Sequence, residues 1–272
     1  MLKTRIITAV ALLLVLLALL YANSLALIVA ATALFFAAAA WESFRLFGSK
    51  QPLLVAGLWT GLFLFLSWRG ISTNSALLFG ICCAIWALRL APSLATGLPP
   101  LGSMSNRLLS GVYGIALLGA FFAILMLFQH SALYLFSVMA LVWIADIGAY
   151  FSGKAFGKRK LAPSISPGKS WEGAIGGWMA VLLLAVVSCF IPQLADTFAV
   201  RLQSGFGWAG MVGVLTLLVA ASVVGDLFES QLKRRAGFKD SSNLLPGHGG
   251  VLDRVDALIP ALPLAMLVHY WL

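Results

Sequence analysis

Charged residues are scarce in this chain of 272 residues: they make up 10% of it, and Asp and Glu together number only 9. Hydrophobic residues make up 61% of the chain, and the mean hydropathy is +1.00. So few polar residues cannot cover the surface of a soluble globule, which excludes a soluble enzyme. The net charge of +9 is therefore interpreted by its distribution between loops, and it does not indicate binding to nucleic acid.

Cysteine and histidine are equally rare, with three residues of each. Cys82, Cys83 and Cys189 all lie in apolar segments, and their spacing indicates neither a disulfide framework nor a metal site. We interpret them as small buried hydrophobic residues. His130 and His269 are expected near the membrane interface opposite the charged loops, each without a metal-ligating partner nearby in sequence.

Apolar runs are abundant and recur along the whole chain. A helix needs about 20 apolar residues to cross roughly 30 Å of hydrocarbon. The sequence therefore predicts an all-α, polytopic transmembrane protein with about nine spans, forming one domain over residues 1–272. The predicted spans are 5–22, 24–41, 53–68, 74–91, 111–128, 132–151, 172–192, 207–230 and 251–271.

Basic residues divide unevenly between the predicted loops. If the N-terminus is cytoplasmic, only Arg69 and Arg201 of the 18 Lys and Arg residues fall on the outer side. The positive-inside rule therefore predicts a cytoplasmic N-terminus. The first 128 residues contain a single acid, Glu42, and are interpreted mainly as scaffold, with the active site expected in 129–272.

Seven of the nine acids lie in two short stretches, 146–172 and 226–256. In the second stretch Asp226, Glu229 and Lys233 share one helix face, which predicts an ion pair between Glu229 and Lys233. Such a concentration of charge beside apolar spans indicates a functional site, because lipid anchoring requires cations and does not require acids.

Asp253 and Asp256 are three residues apart on the next predicted helix. An ionised acid within a span costs roughly 2.5–3.5 kcal/mol, so these acids need partners. Mg²⁺ bound by one or two carboxylates, waters and substrate phosphates would offset that cost. We expect Asp226, Asp253 and Asp256 to bind Mg²⁺, as one ion or two.

A glycine-rich segment, residues 237–250, precedes that helix. Glycine permits positive φ and a close approach of the backbone, and consecutive N–H groups at a helix start bind anions. The segment is therefore expected to wrap a phosphate with exposed backbone amides.

Residues 230–256 resemble the signature of the phosphatidate cytidylyltransferase family. The matching runs are Ser230-Gln231-Leu232-Lys233-Arg234, Lys239-Asp240, Leu245-Pro246-Gly247-His248-Gly249-Gly250 and Asp253-Arg254-Val255-Asp256. The resemblance implies an enzyme that converts CTP and phosphatidate to CDP-diacylglycerol and pyrophosphate, in a bacterial plasma membrane, with its site facing the cytoplasm. It also implies a homodimer. The residues expected to be catalytic are Asp226, Lys233, Asp253, Arg254 and Asp256, and those expected to bind substrate here are Ser230, Arg234, Lys239, Asp240, His248, Gly249 and Gly250.

A second segment, residues 166–173, resembles the same family's Ser-Pro-Lys-Lys-Thr-Trp-Glu-Gly run, with Gly168 and Ser170 as departures. Gly168 removes one cation that the family carries. Ser166, Lys169 and Glu172 are expected to bind substrate, with Glu172 capping its helix or orienting Lys169.

Other charged residues near these segments have two interpretations. Asp146 has either a role in the site or a hydrogen bond between helices. For Lys158-Arg159-Lys160 and for Arg235 the favoured interpretation is contact with lipid headgroups.

Three other functions remain open at this stage. A CTP-dependent lipid kinase would transfer the γ-phosphate and release CDP. A transporter or channel would use intramembrane acids as a cation path, but its acids should occupy several spans and both membrane halves. A lipid-binding scaffold would show no metal-dependent turnover.

Overall fold

A computed structural model describes the backbone of residues 2–70 and 75–272, and the side chains of 7–70 and 76–272. Within these ranges the protein is almost entirely helical. Its helices are α1 (Leu2–Ala22), α2 (Leu25–Leu46), α3 (Pro52–Arg69), α4 (Ser75–Ile85), α5 (Ala91–Thr96), α6 (Met104–His130), α7 (Ala132–Phe156), α8 (Trp171–Ser188), α9 (Phe198–Arg235), α10 (Leu252–Val255) and α11 (Leu258–His269).

Seven of the described helices are long and apolar enough to cross a membrane, counting the continuous segment Ala76–Thr96 as one. In that segment a π-helical turn, Trp86–Leu90, joins α4 to α5. Two shorter apolar helices, Ile7–Ala22 and α11, complete the bundle. The all-α polytopic class is confirmed, whereas nine spans and a cytoplasmic N-terminus stay predictions.

Two local features differ from the sequence-based expectation. Between α7 and α8 the chain forms a small antiparallel hairpin of β1 (Lys160–Ala162) and β2 (Ser166–Ser170), where no strand was predicted. Helix α9 is longer than the span 207–230, because a turn at Gly207, with φ of 69°, joins its first segment to the long apolar one.

Helices α7 and α8 pack closely through small residues. Gly173 and Gly177 face the backbone carbonyls of Ala149 and Ala145, where an added Cβ would collide. This confirms the small-residue packing expected of a Gly-xxx-Gly pattern in membrane helices. The close approach places the start of α8, and with it β2, beside Ala149 and Gly153 on α7.

The loops that carry most charge meet at one end of the bundle. The guanidinium of Arg45, at the end of α2, donates to the carbonyl of Ser241. Thr8 Oγ1 on α1 donates to the carbonyl of Pro246 at 2.9 Å, and Gln231 on α9 donates to the carbonyl of Ser93 at 3.0 Å. We call this end, where α2, α5, α7 and α9 terminate, the site end.

Candidate active site

Lys233 links two acids at the site end. Its ammonium forms ion pairs with Glu229, one helical turn away on α9, and with Asp253 Oδ1 at 2.6 Å on α10. All three side chains are buried, and Glu229 is completely inaccessible. The pair between Glu229 and Lys233 confirms the i, i+4 prediction, and Lys233 also joins α9 to the segment that begins α10.

Asp253 organises the loop before α10. Its Oδ2 accepts hydrogen bonds from the backbone amides of Ser241 and Gly250 and from the Ser241 hydroxyl, each at 2.8 Å. Burial opposes ionisation, but the side-chain hydrogen bonds with Glu229 and Lys233 and the Gly250 amide outweigh it and lower the pKa of Asp253 to about 2. Asp253 is therefore an ionised residue whose two oxygens are both engaged by the protein.

Glu42 holds the same loop from the scaffold half of the chain. Its carboxylate is fully buried and accepts from the amides of Val251 at 3.1 Å and Leu252 at 2.6 Å. It also accepts from the hydroxyls of Ser241, at 3.2 Å, and Ser242. The interpretation of the first 128 residues as scaffold is therefore incomplete. A lone acid in an apolar span was the available signal, because such acids are functional candidates by default.

The glycine loop differs from the expected phosphate-binding loop. Gly249, with φ of +80°, makes the turn, and its carbonyl accepts from the Leu245 amide at 2.8 Å. The amide of His248 donates to the Leu245 carbonyl, also at 2.8 Å. Because Asp253 and Glu42 take the amides of residues 250–252, these N–H groups stabilise protein carboxylates and are not exposed to a substrate.

Hairpin β1–β2 brings a second cation to the acids of α9. Lys169 on β2 places its ammonium 2.5 Å from Asp226 Oδ2. Asp226 Oδ1 lies 3.3 Å from the Ser230 hydroxyl one turn later on α9. Ser170 caps α8 by accepting from the Gly173 amide at 3.1 Å, so the hairpin runs directly into the helix.

A polar cavity of about 610 Å³ lies between α7, β2, α8, α9 and α10, and Lys169 and Asp226 line it. Ligand pockets of roughly 300–1,000 Å³ are typical of small-molecule sites. Asp146 lies in its wall, which supports the site interpretation of this acid over a bond between helices. The charged lining comprises Asp146, Asp226, Asp240, Asp253, Asp256, Lys154, Lys169, Lys233 and Arg254, and Ser166 lies beside them.

The three predicted metal ligands are not equivalent. Among the described residues no group of three or more acids, histidines or cysteines has a geometry suited to a metal ion, and Asp253 is committed to Lys233 and the loop. Asp226 and Asp256 remain on the cavity wall. The pair fits a divalent cation that takes one or two protein carboxylates and completes its shell with phosphates and water.

Several predicted residues lie away from the cavity lining. Arg234 is exposed, 3.4 Å from the Phe238 carbonyl, and Lys239 is exposed beside it. Glu172 lies in the first turn of α8, where the helix dipole favours an acid, as the capping interpretation expects. It accepts from the amides of Lys158 and Arg159, each at 3.1 Å, and from the Arg159 side chain at 3.2 Å, and so fixes the loop before β1.

Arg235 is also placed differently from the expectation of a lipid contact. Its Nη1 donates to the Pro99 carbonyl and to Asn106 Oδ1, both at 2.8 Å, and its guanidinium lies over the ring of Phe47. The residue therefore joins α9 to α6 and to the loop before it. The interpretation of Arg235 as a contact for lipid headgroups was wrong. Its partners could not be foreseen, because they come from distant parts of the chain.

A model described as the cytidylyltransferase family matches residues 3–272. The chain belongs to this family. Three curated relatives are phosphatidate cytidylyltransferases: from Pseudomonas aeruginosa, 55% identical over 127 residues (47% of this chain, 44% of the relative); from Haemophilus influenzae, 51% over 142 residues (52% and 47%); and from Mycobacterium bovis, 33% over 227 residues (80% and 70%). The chain spans about half the length of the first two relatives in these matches.

Proposed function

We propose that this cytidylyltransferase-family member is a phosphatidate cytidylyltransferase, which converts CTP and phosphatidate to CDP-diacylglycerol and pyrophosphate. The observation that carries the proposal is the polar cavity in which Lys169, Lys233 and Arg254 face a group of acids beside membrane-spanning helices. A triphosphate and a lipid phosphate both require such cations. The names of the curated relatives support the same activity.

The lipid phosphate needs little activation in this reaction. A phosphate monoester has a second pKa near 6, so phosphatidate already carries a nucleophilic oxygen at neutral pH. We propose that this oxygen attacks the α-phosphorus of CTP in line and that the bond to the β-phosphate oxygen breaks, which releases pyrophosphate. The protein then contributes by positioning both substrates and by stabilising charge on the leaving pyrophosphate.

Individual roles follow from position in the cavity. Lys169 and Arg254 are suited to contact phosphate oxygens, because Lys169 ends beside Asp226 and Arg254 is exposed on α10. Lys233 is buried between Glu229 and Asp253, so its main role is to fix the position of α10 relative to α9. Arg254 Nη2 donates to the His248 carbonyl at 2.8 Å, which fixes the guanidinium at the cavity edge.

Mg²⁺ is the cofactor that we propose for this site. Asp226 and Asp256 would hold it, and when bound it would neutralise charge on the triphosphate. Two ligands from the protein suffice if substrate oxygens and water supply the others. The proposal leaves Asp253 as a residue that shapes the loop and withdraws it from the metal set.

The cellular setting belongs to the same proposal. The protein is an integral membrane protein with several apolar helices. We propose that it lies in a bacterial plasma membrane with the site end toward the cytoplasm, where CTP is available, and that it works as a homodimer surrounded by membrane lipids. The unequal distribution of Lys and Arg supports this orientation.

Product identification tests the activity. Purified protein in detergent is incubated with Mg²⁺, phosphatidate and CTP labelled in its α-phosphate. Label in a lipid product together with released pyrophosphate supports cytidylyl transfer. Release of CDP instead would show a kinase. If folded protein shows no metal-dependent turnover, the result would favour the scaffold or transporter alternatives.

A further inference from the structure

A second cavity, of about 600 Å³, lies between α1, α2, α6 and α7. Its walls are almost wholly apolar and include Leu12, Leu16, Phe35, Phe121 and Met139. The charged and imidazole side chains in its lining are confined to one end, which is the site end. They are Asp146, His248 and Arg254.

The polar and apolar cavities share wall residues. Asp146 and Arg254 line both of them. The two spaces therefore adjoin at the site end. A ligand that spans both would have an anionic group near Arg254 and a long apolar portion among the side chains of α1, α2, α6 and α7. A phospholipid with a phosphate monoester headgroup has this chemistry.

The apolar cavity has the depth of one membrane leaflet. On α7 its lining extends from Asp146 to Leu135, which is about 16 Å along the axis at 1.5 Å per residue. One leaflet of a hydrocarbon core about 30 Å thick is about 15 Å deep. Buried Ile28 and Leu135 lie toward the far end, with Ala31 one turn from Ile28 on α2.

Given the function proposed above, we propose that this apolar cavity binds one acyl chain of the lipid substrate and that its far end sets the chain length accepted. The occupant is an acyl chain because the cavity matches one leaflet in depth and has Arg254, a cation suited to the lipid phosphate, at its site end. A long chain needs the far end of the cavity and a short chain does not, so a blocked far end should exclude the long chain by steric overlap and discriminate between the two lipids.

The decisive variant is Ala31→Phe, which adds a ring near the far end of the cavity. The matched control is Ala30→Phe, since Ala30 is the adjacent residue of α2, is exposed on the outside of the bundle and is not part of the lining. Turnover and binding without CTP are measured for dipalmitoyl and dioctanoyl phosphatidate. We expect Ala31→Phe to lower kcat/KM for the long-chain lipid by at least about tenfold, the usual penalty for a misfit in an apolar pocket, with little change for the short-chain lipid or for the KM of CTP. Ala30→Phe should resemble the wild type.

Other outcomes overturn the acyl-chain site. If Ala31→Phe treats both lipids as the wild type does, the cavity does not hold the chain. If activity on both lipids falls equally and the oligomeric mass changes in size-exclusion chromatography, the cavity holds part of a second copy. A wild type that binds phosphatidate but forms no CDP-diacylglycerol contradicts the proposed function instead, and chain-length dependence of binding then decides the cavity separately.

If Ala31→Phe fails to fold, a second pair of variants, on α1, tests the same proposal. Leu16 lines the cavity, whereas the adjacent Leu17 is exposed and outside the lining. Leu16→Trp should reduce activity on dipalmitoyl more than on dioctanoyl phosphatidate, and Leu17→Trp should not. Equal behaviour of the two α1 variants contradicts the proposal.

Discussion

Ionisable side chains form two clusters, one at each end of the helical bundle. At the end opposite the site, Asp196 accepts from Ser131 Oγ at 2.5 Å, from Arg201 Nη2 at 3.1 Å and lies 3.0 Å from His130 Nε2. His269 extends the group through a contact of 3.1 Å with the Tyr134 hydroxyl. The carboxylate of Asp196, the acid of this cluster, thus has donors from the protein at both of its oxygens.

The site end has a different balance. Acids outnumber bases around the polar cavity, and Asp226 and Asp256 face the same space. None of the residues of the opposite cluster lines either cavity described above. The comparison teaches that ionisable groups alone do not indicate a site. A cluster that lines a cavity and contains more carboxylates than basic side chains is suited to a cationic ligand. A cluster whose carboxylate is already paired with basic side chains is suited to joining helix ends.

The largest expected effect is on stability, from removal of the buried cation. Lys233→Met leaves Glu229 and Asp253 without their shared ammonium, so we expect the free energy of unfolding to fall by about 3–5 kcal/mol. At the opposite end Arg201→Met removes a half-exposed partner of Asp196 and should cost about 1 kcal/mol or less. Thermal unfolding of both variants in the same detergent makes the comparison, and equal losses would contradict the difference drawn between the two ends.

Glu42→Gln is expected to have the next largest effect. The substitution removes the charge from a side chain that accepts four hydrogen bonds from the loop before α10, but the amide Oε1 of Gln can still accept, so we expect a total loss of about 1.5–3 kcal/mol. We expect a lower melting temperature and a lower kcat/KM, because Asp253 and Arg254 lose their fixed position.

Glu172→Gln is the matched control for that experiment. Glu172 also accepts backbone amides, but at the exposed loop before β1. Its replacement should lower the melting temperature less than Glu42→Gln. A reversed order of melting temperatures would show that Glu42 does not anchor the loop.

The smallest effect is expected from Asp196→Asn. Burial raises the pKa of Asp196, but hydrogen bonds from Ser131, His130 and Arg201 outweigh this and lower it overall. The stabilisation from this acid is therefore present above the unfolded pKa of about 4 and is lost as pH falls through the lower folded pKa. The variant should keep wild-type turnover. Its melting temperature should no longer show the fall at acidic pH that comes from protonation of Asp196. Reduced turnover at neutral pH would link the opposite end to catalysis.

The sequence predicts features set by local spacing. The apolar runs predict where helices lie but not where they end, since α6 begins at Met104 and not at 111, and α9 begins at Phe198 and not at 207. The i, i+4 spacing predicts the pair of Glu229 and Lys233. Gly173 and Gly177 likewise predict the close packing of α7 and α8.

Features that depend on long-range packing were missed. Glu42 meets its loop across about 200 residues, and Lys169 reaches Asp226 only because α7 and α8 carry β2 to α9. The hairpin was not predicted, since Pro163 and Pro167 interrupt it and its residues lack an alternating apolar pattern. The Arg235 contacts were missed for the same reason, because their partners Pro99 and Asn106 are about 130 residues away in the chain.

The central claim is that the carboxylate excess at the site end binds the metal that supports cytidylyl transfer. Its most direct measurement is a Mg²⁺ titration of CDP-diacylglycerol formation by Asp256→Asn, with Asp196→Asn as the matched acid-to-amide change at the other end. We expect Asp256→Asn to lower kcat by at least about a hundredfold and to need more Mg²⁺, while Asp196→Asn follows the wild-type curve. Wild-type turnover and Mg²⁺ dependence in Asp256→Asn would contradict the account.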